Sequence, residues 1–95
     1  MDDSVRFALE KLLNVAHEDT GQGRRVANFI LAWWNAEVHG GFDLTDLDNV
    51  DPHIAEDMVI IFTWLARQDE LIYPDDYRQE IEKIISHWRP QAVST

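Results

Sequence analysis

Apolar residues recur at helical spacing in four stretches of the chain, and nowhere do they alternate as a half-buried strand requires. In the first stretch Val5, Leu9, Leu12, Leu13 and Ala16 form one narrow stripe flanked by Phe7 and Ala8. This predicts a helix over about 4–16, capped by Asp3 or Ser4. The segment HEDTGQGRR breaks the period, and Gly21 and Gly23 predict a loop or a frayed helix start. The second helix is expected over about 24–38. Val26, Ile30 and Trp33 share one line with Glu37, while Phe29, Trp34, Ala27, Leu31 and Val38 widen the apolar arc past half the circumference. Asn28 and Asn35 mark its only polar strip. A helix this apolar is expected at the centre of the domain, with Trp33 and Trp34 in the core, because such rings bury about 150–250 Å² each. Glu37 is expected at the helix end, with Arg89 or Arg6 as a partner, and Gly40 or Gly41 suits a left-handed terminating position.

Leu44, Leu47 and Val50 then recur every third residue, and Thr45 with Asp48 fits a capping box. One extra turn is expected here, its leucines on the core and its aspartates outward. Asp51-Pro52 reads as N-cap and first helical residue of a third helix over about 52–67. Its stripe is Ile54, Met58, Ile61, Phe62 and Leu65, whereas Ile60 and Trp64 project elsewhere, between Glu56 and Asp57. Leu71, Ile72 and Tyr73 are expected to lie over the core edge as an extended plug. A fourth helix over about 76–88 carries Tyr77, Ile81, Ile84, Ile85 and Trp88, with Asp75 or Asp76 as cap; Pro90 stops it, leaving a loose tail over 90–95. The pattern predicts an all-α fold: a compact four-helix domain spanning 1–95, with a short extra helical turn between the second and third helices, and those two helices central.

Composition sharpens this picture. With 45% hydrophobic residues among 95, the chain resembles a packed globule rather than a disordered segment. It has no cysteine, which excludes disulfides, cysteine-based zinc sites and thiol catalysis. MDDSVRFALEKLL lacks the basic and apolar regions of a signal peptide, and no apolar run is long enough to span a bilayer, so a cytoplasmic location is expected.

The formal net charge of −10 is unevenly placed. No Lys or Arg occurs from Val26 to Ala66, a span holding Glu37, Asp43, Asp46, Asp48, Asp51, Glu56 and Asp57. Such a field repels nucleic acid and anionic membrane and favours basic partners. Charge that merely keeps a small protein soluble is the competing reading.

The residues that carry chemistry are sparse. Ser4, Ser86 and Ser94 lie in no G-x-S-x-G elbow, and GQGRR has neither the spacing nor the preceding strand of a phosphate loop. His53 and Asp57 are four apart, with His39 and Asp43 upstream, so a two-His and carboxylate metal set is conceivable; without H-E-x-x-H it ranks last. DLTDLDNVD lacks the turn glycine of a calcium loop. No cofactor and no metal are expected, and the chain reads as a non-enzyme. What remains is an acidic surface of Asp43, Asp46, Asp48, Asp51, Glu56 and Asp57 beside Ile60 and Trp64, where carboxylates stand in for phosphates and an apolar anchor adds affinity.

The runs NFILAWWNAEVHGGFDLTDLDNVDPHIAEDM and YPDDYRQEIEKIISHWRP resemble a family of small uncharacterised bacterial proteins common on plasmids and other mobile elements, in the A-W-W-N-A helix, the G-G-F-D-L-T-D-L turn and the terminal W-R-P. The resemblance covers about 26–90 and implies no activity, but it implies a mobile-element setting, where small acidic helical proteins include anti-CRISPR inhibitors. The expected function is therefore binding of a basic protein partner, most concretely a nucleic-acid-binding protein whose groove is filled by mimicry, with no direct contact to nucleic acid or membrane. The alternative is a homo-oligomer, such as a homodimer joined through Ile60, Trp64 or the tryptophan pair; a metal-dependent enzyme using His53 and Asp57 comes third.

Overall fold

The computed structural model describes residues 1–93, and the chain is all-α, with no strand among them. Four helices make up its body: α1 (Asp3–Ala16), α2 (Gly21–His39), α3 (Pro52–Ala66) and α4 (Arg78–Trp88). Six residues in 3-10 conformation (Leu44–Asn49) precede α3, three more (Asp75–Tyr77) lead into α4, and a last short helix α5 covers Pro90–Val93. The first residues of the expected loose tail are thus helical, while its end, Ser94 and Thr95, lies outside the described residues.

Side-chain caps place the starts of α1 and α2. Asp2, one residue before the expected cap, accepts hydrogen bonds from the Val5 N–H at 3.0 Å and the Ser4 hydroxyl at 2.8 Å. Thr20 accepts from the Gly23 N–H at 2.9 Å, so α2 begins at Gly21, within the segment that reads as a loop. Gly23 is buried there because a Cβ would overlap the Glu18 carbonyl oxygen and lie 2.9 Å from that of Val15. The glycine therefore marks a close α1–α2 approach inside a helix, not a break. At the far end of α2, Asn35 (φ −168°, ψ 89°) interrupts the helix, and its side chain accepts from the Val38 N–H at 3.3 Å to restart one further turn. Gly40 closes that turn at φ 92° and ψ 167°, a region open essentially to glycine alone, in place of the expected left-handed cap.

The hub of the fold is α1, not α2 or α3. It packs extensively on both of them and touches α4, while α2 and α3 make little direct contact with each other. Its stripe of Val5, Ala8, Leu9, Leu12, Leu13 and Ala16 is entirely buried. A narrow stripe suits a helix seated between two neighbours, each of which covers one flank. α2 contributes Val26, Ala27, Ile30 and Leu31 to this core, α3 contributes Ile54, Met58 and Ile61, and α4 adds Ile81 and Ile84. Trp88 donates from its indole N–H to the Ala16 carbonyl at 2.8 Å, and Tyr77 donates to Glu10 at 2.7 Å while accepting from Arg6 at 3.2 Å. These bonds fasten the end of α4, and the turn that leads into it, to α1.

The connection after α3 differs from the expected plug. Leu71 is exposed and Tyr73 partly so, whereas Pro74 is the residue buried. Neither Asp75 nor Asp76 caps α4 with its side chain; Asp75 lies 3.6 Å from Arg78 instead.

Candidate functional site

α2 and α3 both pack on α1 and make little direct contact with each other, and a cleft is lined by residues of both and of the segment between them. Its α2 wall is Phe29, and its α3 wall is Met58, Val59 and Phe62. The intervening segment closes one end with Phe42, Leu44 and Leu47, and the Phe42 ring stands edge-on to Phe29 at 5.2 Å and 82°. What is left is a cleft of about 100 Å³ with a wholly apolar lining. That is far below the ~300–1,000 Å³ of a cofactor or drug-sized site, and nearer the ~150 Å³ cavity that holds a benzene ring. At its mouth Leu44 is 65% exposed, Phe62 61% and Val59 52%.

The three-residue spacing of Leu44, Leu47 and Val50 reflects the 3-10 geometry of this segment, which has three residues per turn. Val50 is buried, Leu47 partly buried, and Leu44 faces out. The cap of this turn is Asp43 rather than the expected Thr45–Asp48 box: its Oδ1 accepts from the Thr45 N–H at 3.0 Å and hydroxyl at 2.8 Å. Those two bonds hold the Asp43 carboxyl below its usual pKa, so it stays ionised beside the cleft.

The six predicted carboxylates do not form one patch. Asp57 is 4% exposed and lies on the α1 side of α3, 3.0 Å from Lys11. It belongs to the helix–helix joint and is withdrawn from any partner surface, because a buried carboxylate is retained only with a counter-charge. Asp46 turns inward to Arg25 at 3.7 Å. Asp51 does not cap α3 with its side chain; its N–H donates to Gln22 at 2.7 Å, and its carboxylate receives the Gln22 amide at 3.5 Å. Asp43, Asp48 and Glu56 are exposed and have no ion pair among the described residues. Asp43 and Asp48 flank the 3-10 wall, and Glu56 stands one turn before Val59 on the other.

The expected apolar anchors also move. Ile60 is 39% exposed and Trp64 half-buried against the core, both on the flank of α3 that adjoins Val5 rather than on the cleft side. Phe62, expected in the core, is the exposed aromatic next to the acidic turn. Trp33 and Trp34 are likewise half-buried rather than core: Trp33 donates its indole N–H to the Ile72 carbonyl at 2.9 Å, and the Arg78 guanidinium lies 4.9 Å over the Trp34 ring. Glu37 is exposed and pairs with neither Arg89 nor Arg6; Arg89 binds Asn28 at 2.6 Å and the His39 carbonyl at 3.1 Å, and Arg6 is held at Tyr77 and Asp76.

No group of three or more His, Asp or Glu side chains is placed to hold a metal ion among the described residues, and Lys11 already occupies the Asp57 carboxylate that the His53 set requires. No helix among them is long and apolar enough to cross a membrane.

The family model that matches residues 6–89 is that of a family of unknown function, DUF7673. The chain belongs to this family. The match takes in α2, α3 and α4, all but the first three residues of α1, and every residue of the cleft. No curated protein and no solved structure matches the chain.

Proposed function

We propose that this chain is a non-enzymatic binding module for a basic protein partner, and that its working face is the α2–α3 cleft with the carboxylates around it. What supports this reading is the coincidence of two features on the same segments, the 3-10 turn and α3: exposed Leu44, Val59 and Phe62, and exposed Asp43, Asp48 and Glu56 with no ion pair among the described residues. Each of these six residues lies within the span from Val26 to Ala66 that has no Lys or Arg, although Arg25, just before it, reaches Asp46 of the same turn. An apolar centre with a charged rim is the anatomy of a specific protein interface, in which the centre supplies affinity and the rim steers and selects. Nucleic-acid mimicry is the special case in which the partner's basic surface is a nucleic-acid groove, and the mobile-element setting implied by the resemblance, with its inhibitors of host defence, gives that case its context.

The test is capture from a bacterial lysate by the wild-type chain and by a variant with Asp43, Asp48 and Glu56 all changed to Lys. Basic proteins retained at low salt, released at high salt and lost with the variant are the expected result. Retention indifferent to the three substitutions would overturn the reading. Competition by a duplex oligonucleotide for the captured protein separates mimicry from a basic surface elsewhere on it.

A further inference from the structure

The cleft itself specifies the partner more narrowly, resting on the binding reading above. We infer that the occupant is an amphipathic, basic helical segment of another protein that inserts one bulky apolar side chain, of the size of Leu or Phe, between α2 and α3.

Four observations converge on this occupant. The first is volume: about 100 Å³ accepts one large side chain and excludes a cofactor. The second is chemistry: the lining offers no polar group to orient a small ligand, so orientation must come from outside the cleft. The third is charge. The exposed acids Asp43 and Asp48 adjoin Leu44 and Leu47 in the chain, and Glu56 lies one turn before Val59 on α3, so a cationic residue on the occupant is favoured near the anchor. Two copies of this chain joined there would instead set like charges face to face on molecules of net charge −10. The fourth is shape. The walls come from helices, Phe29 on α2 and Met58, Val59 and Phe62 on α3, the 3-10 segment with Leu44 and Leu47 closes one end, and no unpaired strand edge exists among the described residues to recruit an extended peptide. Grooves between helical walls take helices through anchors spaced three or four residues apart.

Selection of random linear peptides by display against the wild-type chain tests the inference. Two variants run in parallel: Phe62→Asp, and the triple Lys substitution at Asp43, Asp48 and Glu56. Phe62 is exposed, so its substitution leaves the helical circular dichroism unchanged. The expected winners carry net positive charge and bulky apolar residues at helical spacing. They should bind each variant at least about tenfold more weakly, and should lose binding when a proline is placed at their centre. In NMR spectra the methyl groups of Leu44, Leu47, Met58 and Val59 should shift on binding. Basic winners without an apolar anchor, indifferent to Phe62→Asp, would overturn the inference while leaving the acidic-face reading intact. Uncharged apolar winners would keep the cleft and overturn the acidic reading. No enrichment over the Phe62→Asp variant, or a wild-type dimer that this variant dissociates, would overturn the helical occupant.

Discussion

Asp57 shows how one contact reassigns a residue. On a helical projection it lies beside Ile60 and Glu56 and reads as surface, yet it is 4% exposed with its carboxylate 3.0 Å from Lys11. Lys11→Met should destabilise the fold by about 1–3 kcal/mol in denaturant unfolding, because it leaves a buried charge without its partner; Lys11 is itself half-exposed, which keeps the loss below that of a fully buried pair. The double variant Lys11→Met, Asp57→Leu should recover most of that stability, and failure to recover would show that Asp57 has another role. His39 offers a second test. Its Nδ1 is buried without a hydrogen-bond partner among the described residues, and burial, with Arg89 nearby, lowers its pKa below the ordinary 6.5. The unfolded chain therefore takes up this proton more readily than the folded one, so stability should fall as pH drops below about 6.5. The melting temperature of His39→Gln should decline less steeply over that window than that of the wild type.

At the scale of elements, apolar periodicity located all four helices, since each buries at least one side whatever its neighbours are. Their ends were less legible. Gly21 and Gly23 read as breakers, but a Thr20 cap starts α2 just before them, and Gly23 serves the packing of α2 on the carbonyls that end α1. Gly23→Ala should cost about 1–3 kcal/mol through forced separation of these helices, measurable as a lower melting temperature. An unchanged value would mean that the junction relaxes freely. The period of three in Leu44, Leu47 and Val50 was visible too, and it corresponds to a 3-10 rather than an α-helical turn.

For the whole molecule, the breadth of an apolar face proved a poor guide to its position. The broad arcs of α2 and α3 suggested a central place, but the narrow-striped α1 occupies the centre and covers only part of each arc. The remainder is half-buried, as Trp33 and Trp34 on α2, or exposed, as Val38 on α2 and Val59, Ile60 and Phe62 on α3. The cleft is where Val59 and Phe62 of α3 meet Phe29 of α2 and the apolar residues of the 3-10 segment. Charge acts at this scale as well. At net charge −10, self-repulsion opposes compaction, so adding salt from a few millimolar to physiological strength should raise the melting temperature. The triple Lys variant should show a flatter salt response; an equal one would mean that the acidic face contributes no repulsion.

The sequence by itself determined the all-α class, the helix locations and the base-free span from Val26 to Ala66, because periodicity and charge are properties of the chain that survive any arrangement of it. Only the tertiary structure decided which carboxylates remain free and which hydrophobic residues remain uncovered. Both depend on neighbours distant in the chain: Lys11 withdraws Asp57, Arg25 draws in Asp46, and the choice of α1 as hub leaves Phe62 outside. A helical projection assigns residues to faces, but whether a face is covered is settled by the helix that packs against it.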